Sequence, residues 1–600
     1  MEKTPPRWDL SNVYTGLDAP ALAADIEWVK TSTEALKQFY EEQLVSIKKD
    51  SPSETINQAL STVVDKMNAL WMKAATINAF LHSFIATDSF DQHAMQMGSQ
   101  FDMVMVGIQK TGVLVEAWIG QFKDVLPDAL KLGNSAGAHA FPITEIAEQS
   151  QYLMSEKEEV LSSELSLSSS RAWSKLQGTV TSQKTVVFEL DGEEKTLPMP
   201  ALINLHAHPD EEVRKRAYEA EMVAWESIKE PLAACMNGIK GWVNTLNAHR
   251  GRVDALHGPI DQARIDRETL KAMMDAMEES FPMFRRYFKA KAARFGQKAL
   301  PWWNVFAPTG KSEKVYAFDE AADFIVENFN KFTPELGEFA KNAFDQNWID
   351  AEQRPGKRGG AFCMSVPAVK ESRILCNFDG SLDQVMTIAH ELGHGYHSFN
   401  MFQAGKTPLQ RQTPMTMAET ASIMCETIMF NAVMETIDDP QEELALLETA
   451  LISDAQVIVD IYSRFLFEKE VFERRQKSDL SADELSEIME NAQAATYGDG
   501  VDANFRHKFM WTWKPHYYSA GLSFYNFPYA FGSLFGVGLY AIFEQRGADF
   551  IPDYKKLLSS TGEAPAAELA ARFGIDIRSK DFWKDSLAVI GKRIDRYCEL

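Results

Sequence analysis

Cysteine is scarce in this chain, long apolar runs are missing, and basic charge falls well short of acidic charge. Each shortage excludes something. The five cysteines (Cys235, Cys363, Cys376, Cys425, Cys598) are odd in number, widely spaced and form no C-x-x-C pair. That argues against a disulfide framework and against a thiolate zinc site; they read as buried free thiols of a reducing compartment. The longest apolar run, at 527–543, contains one proline and three glycines and is shorter than the ~20 residues of a membrane span. It reads as a buried helix. Against 85 acidic side chains stand 61 Lys and Arg, a formal charge of −24, so neither nucleic acid nor an anionic membrane is an expected partner. The N-terminal MEKTPPRWDLSNVYTG has no apolar h-region, which predicts no signal peptide and, with the thiols and the acidity, a cytoplasmic protein.

What is present is helical periodicity. Ile56, Leu60, Val63, Met67 and Leu70 follow the i, i+4, i+7 template, and similar patterning predicts a set of long antiparallel helices over 20–180. Met95, Met97, Met103 and Met105 read as core filler there. Residues 185–190 and 193–197, separated by Asp191-Gly192, predict a hairpin with a two-residue turn. It places the boundary between an N-terminal helical domain, 1–200, and a catalytic domain, 201–600, within about 20 residues. His206 and His208 are adjacent but one, share no helical face and read as structural, while Trp302 and Trp303 read as packing. Gly536-Val537-Gly538 follows no strand and is not a nucleotide loop. Gly356, Gly359 and Gly360 mark a tightly turned loop. A short strand at 373–378, within a small β region at 362–378, could offer an open edge to an extended peptide or belong to a small structural sheet.

The chemistry centres on 381–401, SLDQVMTIAHELGHGYHSFNM, which reads as one helix with Ser381 as its cap and Gln384 completing a capping box. Within it His390-Glu391-Leu392-Gly393-His394 is the H-E-x-x-H pattern. One turn separates the two histidines, so both imidazoles can face one metal ion, and Glu391 stands about 100° round the helix, where a base acting on an activated water belongs. The flanking Val385, Met386, Ile388, Ala389 and Leu392 are apolar, so the helix carries these polar groups into a core. Gly393 and Gly395 each cost about 1 kcal/mol against alanine in a helix interior, which implies close approach of a backbone or ligand.

A catalytic zinc keeps three protein ligands and an open position. His397 shares the face but lies about 10.5 Å along the axis from His390, too far to join both histidines on one ion; it reads as a supporting or substrate contact. Glu419, after 24 intervening residues, is the better third ligand, because a carboxylate inside the apolar run MAETASIMCET is otherwise costly. Glu426 shares its face and could orient a ligating histidine through the ring's other nitrogen.

With H-E-x-x-H, 24 residues and then Glu, together with WDLSNVY, GKRGGAFC and DQVMTIAHELGHGYH, the chain resembles the M3 family of zinc peptidases, most closely its oligoendopeptidase F branch. The resemblance covers nearly the whole chain. It implies a mainly α fold, a helical ellipsoid of two halves around a deep channel with a zincin-type helix. It implies one Zn2+ held by His390, His394 and Glu419, with Glu391 as catalytic base. It also implies that His516, Tyr525 and Tyr529, in the run PHYYSAGLSFYNFPY, hold the oxyanion and substrate backbone. Shortly upstream, Gly498-Asp499-Gly500 could be a flexible loop over the cleft. The expected function is zinc-dependent hydrolysis of internal bonds in short oligopeptides. A metal-dependent hydrolase of non-peptide amides or esters, and a peptide-binding protein with a vestigial site, are the other readings.

Overall fold

Apolar side chains at helical spacing, with little to interrupt them, give a mainly α-helical chain. The computed structural model describes residues 4–310 and 314–600; the first three residues of the N-terminal lead-in lie outside the described residues. Three long helices, Pro20–Glu42, Ser53–Thr87 and Gln92–Gly120, pack around one core that includes Leu22, Leu60, Val63, Phe80, Phe101 and Trp118. Beyond residue 120 the helices are short, the longest up to residue 183 being Ser170–Gln183, where one set of long helices was expected. The methionines divide in two. In the helix Gln92–Gly120 the buried stripe runs through Ala94, Phe101, Ile108 and Val115. Met97 and Met105 flank that stripe and pack on the core, whereas Met103 lies opposite it and Met95 a quarter-turn away, at 72% and 44% exposure.

Five short strands form two sheets among the described residues. β1 (Thr185–Leu190) and β2 (Glu193–Pro198) make the expected hairpin, Leu190 opposite Glu193. Asp191 (φ +57°) and Gly192 (φ +78°) supply the two left-handed residues that its tight turn requires. β3 (Ile349–Asp350), β4 (Phe362–Val366) and β5 (Glu371–Leu375) form the second sheet in the order β3-β5-β4. β5 runs parallel to β3 and antiparallel to β4. The strand expected at 373–378 is therefore central and begins two residues earlier; the edges belong to β3 and β4. The β3 partner was not anticipated. Lys357 of the GKRGG loop ties the sheet together, its buried ammonium donating to Asp350 O (3.0 Å) and Cys376 O (2.6 Å).

Compactness groups the chain into two units, each gathered from three stretches: 1–151, 314–435 and 542–574 in the first, 152–313, 436–541 and 575–600 in the second. The hairpin before residue 200 thus lies inside the second unit. That unit is held by a buried acceptor: Glu448 takes hydrogen bonds from Lys291 (2.7 Å), Tyr287 (2.6 Å) and Tyr597 (2.6 Å), joining the helices Arg267–Arg294, Pro440–Ala455 and Lys580–Glu599. His206 is buried against Glu221 (3.0 Å), and Trp302 and Trp303 are buried. The apolar run becomes the helix Phe527–Arg546. All five cysteines are free thiols, and no helix among the described residues is long and apolar enough to cross a membrane.

Candidate metal centre

Ser381 caps the helix Leu382–Gln403, its hydroxyl accepting from Gln384 N–H at 3.3 Å. The second half of the expected capping box is missing. Gln384 Oε1 has no partner, and Ser381 N–H donates instead to Asp379 Oδ1 at 2.9 Å. The apolar flanks Val385, Ile388, Ala389 and Leu392 are fully buried and carry the motif into the first unit.

Gly393 decides what the motif meets. A Cβ there would lie 2.5 Å from Ser422 Cα and 2.6 Å from Ala421 O, so the missing side chain lets the helix Thr420–Met434 approach backbone to backbone. Gly395 likewise faces the Phe339 ring, 3.0 Å from where its Cβ would be. The approach brings Glu419, at the cap of that second helix, beside both imidazoles. Glu419 Oε2 stands 3.4 Å from His390 Nε2 and 3.4 Å from His394 Nε2, and one donor atom from each of the three lies within 4.8 Å of the others. Donors at 2.0–2.2 Å from a tetrahedral ion stand roughly 3.4 Å apart. The spacing and the chemistry of two imidazoles and a carboxylate fit a divalent cation.

The supporting contacts are specific. Glu426 Oε2 is 3.2 Å from His390 Nδ1, and Ser422 donates to Glu419 Oε2 at 2.6 Å. His397 is buried, its Nε2 2.9 Å from Thr561 Oγ1, and that hydroxyl is 2.9 Å from Thr413 Oγ1. His397 is not part of the donor cluster. Glu391 is buried, and its Oε2 has no hydrogen-bond partner.

Electrostatics follow from burial and these contacts. Burial, with His390 pulling down and Glu419 pushing up, raises the Glu391 carboxyl to about 7. Burial also opposes charge on His390, but hydrogen bonds to Glu419 and Glu426 outweigh it and lift the ring to about 10. His394 moves the other way, burial prevailing over Glu419. Glu419 falls to about 2 against its own burial, because His390, His394 and Ser422 hold its charge. The two histidines face the same carboxylate, and His390 has Glu426 beside it as well.

The remaining expected residues lie in the second unit. Tyr525 OH and Tyr529 OH are 2.6 Å apart, and Asn526 Nδ2 donates to His516 Nε2 at 2.8 Å. Burial first, then the cations Arg464, Lys240 and Lys514, push His516 down to about 3, so its ring is neutral. Gly498–Gly500 is a 3-10 turn, not a free loop. Asp499 pairs with Lys289, and Gly500 O accepts from Leu300 N–H at 3.0 Å.

Sequence reasoning passed over Ser422, Thr561 and Asn526. Ser422 had a signal, a hydroxyl three residues into the helix that Glu419 caps. Thr561 had none, lying 164 residues from His397.

An H-E-x-x-H helix and a glutamate at the cap of a second helix, converging on one cation-sized space in a helical protein, define the class: a metallopeptidase with a candidate metal site of two histidines and one carboxylate. The model of peptidase family M3 matches residues 204–589, and the chain belongs to that family. It is similar to the chromosomal oligoendopeptidase F of Lactococcus lactis subsp. cremoris, 25% identical over 390 residues, 64% of this chain and 63% of that one. It is also similar to the oligopeptidase PepF of Bacillus subtilis (strain 168), 21% identical over 467 residues, 77% and 69% of the two chains. The match thus spans less than two thirds of the Lactococcus protein. A crystal structure of a proposed peptidase from Chlamydophila abortus shares the fold over 100% of both chains, with a TM-score of 0.86 at 19% identity.

Proposed function

We propose that this chain is a zinc-dependent endopeptidase that hydrolyses internal bonds of short oligopeptides. The observation that carries the reading is the convergence of His390 Nε2, His394 Nε2 and Glu419 Oε2 beside a buried Glu391 whose Oε2 has no hydrogen-bond partner. His390, His394 and Glu419 would hold one Zn2+, which supplies Lewis-acid polarisation of a carbonyl and eases ionisation of a water. Glu426 orients His390 through Nδ1, and Ser422 orients Glu419. Glu391 takes a proton from the attacking water and hands it to the leaving amine. The family resemblance carries over to Tyr529, with His516 or Tyr525, the role of donor to the developing oxyanion; such donors stabilise the transition state by about 3–4 kcal/mol each in a dry site. His397 supports the motif helix through Thr561.

Substrate class rests on the names of the relatives and on the sheet. β4 is an edge strand, and an extended peptide can pair along such an edge. The family match starting at residue 204 supports 201–600 as the sequence module that carries every proposed catalytic residue, with 1–200 as its helical partner. Five free thiols and the net acidity support a cytoplasmic location.

Mass-spectrometric mapping of cuts in a mixed peptide library, with and without a chelator, tests the reading. Internal cuts in short peptides that vanish with chelator and return with Zn2+ are expected. Binding without cleavage would leave a peptide-binding protein, and turnover confined to non-peptide amides or esters would leave a different hydrolase.

A further inference from the structure

We propose that Glu468, paired with Lys240 in a buried ion pair, clamps the turn presenting Tyr525, Asn526 and Tyr529, which makes Glu468 a positioning residue for the reaction, with Lys240 as its counter-ion; this rests on the reading of His516 and the two tyrosines given above. Lys240 Nζ lies 2.6 Å from Glu468 Oε1, with side-chain exposures of 0% and 2%. The other oxygen of Glu468 accepts the backbone N–H of Phe524 at 2.9 Å. Phe524 has φ +52°, the left-handed region that glycine or asparagine normally fills and that a bulky residue enters only when its surroundings enforce it.

The enforcement comes from one helix face. Phe465, Glu468 and Phe472 stand at i, i+3 and i+7 on the helix Ile461–Arg475. Phe465 and Phe472 pack on the Phe524 ring at 5.2 and 5.7 Å between centroids. Lys240, from the helix Lys229–His249, closes the arrangement with its ammonium 4.5 Å from the Phe472 ring centre. A pair of apolar residues would fill the same space with no less stability, since desolvating two charges offsets their attraction. What apolar residues lack is an acceptor for the Phe524 N–H. Glu468 supplies that acceptor, and Lys240 offsets its charge, pulling against the burial that pushes the carboxyl up.

The consequence runs through the next residues. With Phe524 fixed, Tyr525 reaches Tyr529 OH at 2.6 Å and Asn526 donates to His516 Nε2 at 2.8 Å. An imidazole that accepts at Nε2 carries its proton on Nδ1, so the turn also selects the tautomer of His516.

Two double variants separate the acceptor from the charges. Lys240→Met with Glu468→Gln removes both charges and keeps an oxygen for Phe524 N–H; Lys240→Met with Glu468→Leu removes that oxygen as well. Hydrogen–deuterium exchange of peptides covering 519–530 is read on the zinc-loaded protein, beside metal content and peptide turnover. The Leu variant is expected to exchange faster there by at least about 10-fold and to lose about 100-fold in kcat, the scale of an ångström's misplacement, with full metal content. The Gln variant should stay within about threefold of the parent in both. Parent-like exchange and kcat in the Leu variant would overturn the clamp. Should the Leu variant fail to fold, the Gln variant decides, because loss of exchange protection there overturns the acceptor role and retention supports it. The exchange arm needs no turnover, so it reads the clamp even if the parent cleaves no peptide.

Discussion

Gly393 sets two opposing effects against each other. Alanine there would gain about 1 kcal/mol of helix propensity. Its Cβ, however, would fall 2.5 Å from Ser422 Cα and 2.6 Å from Ala421 O, both backbone. Backbone cannot turn aside as a flexible side chain does, and overpacking of this kind costs about 1–3 kcal/mol. Steric repulsion wins, and the helix bearing Glu419 must shift. Gly393→Ala should lower the urea midpoint and weaken metal retention; a variant as stable as the parent with full metal content would mean that the approach is not needed. The H-E-x-x-H residues were legible in the sequence because their geometry is local, one turn of one helix. Glu419 was legible because a carboxylate in an apolar run demands a partner. The contact of His397 with Thr561 was not, since nothing in either neighbourhood points across 164 residues.

Among elements, the start of the helix Thr420–Met434 matters most. Glu419 occupies its cap, and Ser422, in its first turn, donates to both the carboxylate (2.6 Å) and the main-chain carbonyl (3.1 Å) of Glu419. A helix N-terminus also favours the anion there. Ser422→Ala should therefore lower metal affinity by about 10- to 100-fold, the usual effect of removing a hydrogen bond to a ligand, in a competition titration against a chromophoric chelator. Unchanged affinity would show that the helix start alone orients Glu419. The hairpin was readable residue by residue because Asp-Gly fixes its turn. The second sheet was only half readable. Its strand positions follow from local pattern, but which strand lies at the edge depends on β3, a two-residue partner more than twenty residues upstream of β5. Likewise, Met95 and Met103 cannot be told from Met97 and Met105 by composition; the stripe through Ala94, Phe101, Ile108 and Val115 separates them.

At the scale of the molecule, each compact unit gathers distant stretches. In the first, the N-terminal WDLSNVY segment is bound to the sheet beside the H-E-x-x-H helix. Arg373 of β5 donates to Asp9 O (2.9 Å) and Asn12 Oδ1 (2.8 Å). The sequence resemblance in that segment thus marks a scaffold contact. In the second unit, buried Glu221 lies between His507 (2.9 Å) and His206 (3.0 Å) and accepts from Trp225 Nε1 (2.8 Å). Burial alone would raise its carboxyl, but the two histidines prevail and hold it below the usual carboxylate range. A depressed carboxylate contributes stability that is present above the unfolded value of about 4.3 and is lost as pH falls below it. Urea midpoints between pH 7 and pH 3.5 should fall less steeply in Glu221→Gln than in the parent, and parallel profiles would remove Glu221 from the acid response.

The central claim, that Glu391 is the base of a metal-dependent peptidase, is tested most directly by Glu391→Gln, with zinc content and turnover of a quenched fluorogenic peptide measured on the same sample. The side chain keeps its size, and His390, His394 and Glu419 are untouched. The account predicts parent-level zinc with turnover reduced by about 100- to 10,000-fold, the range of general acid–base catalysis; parent-level turnover at full zinc occupancy would contradict it.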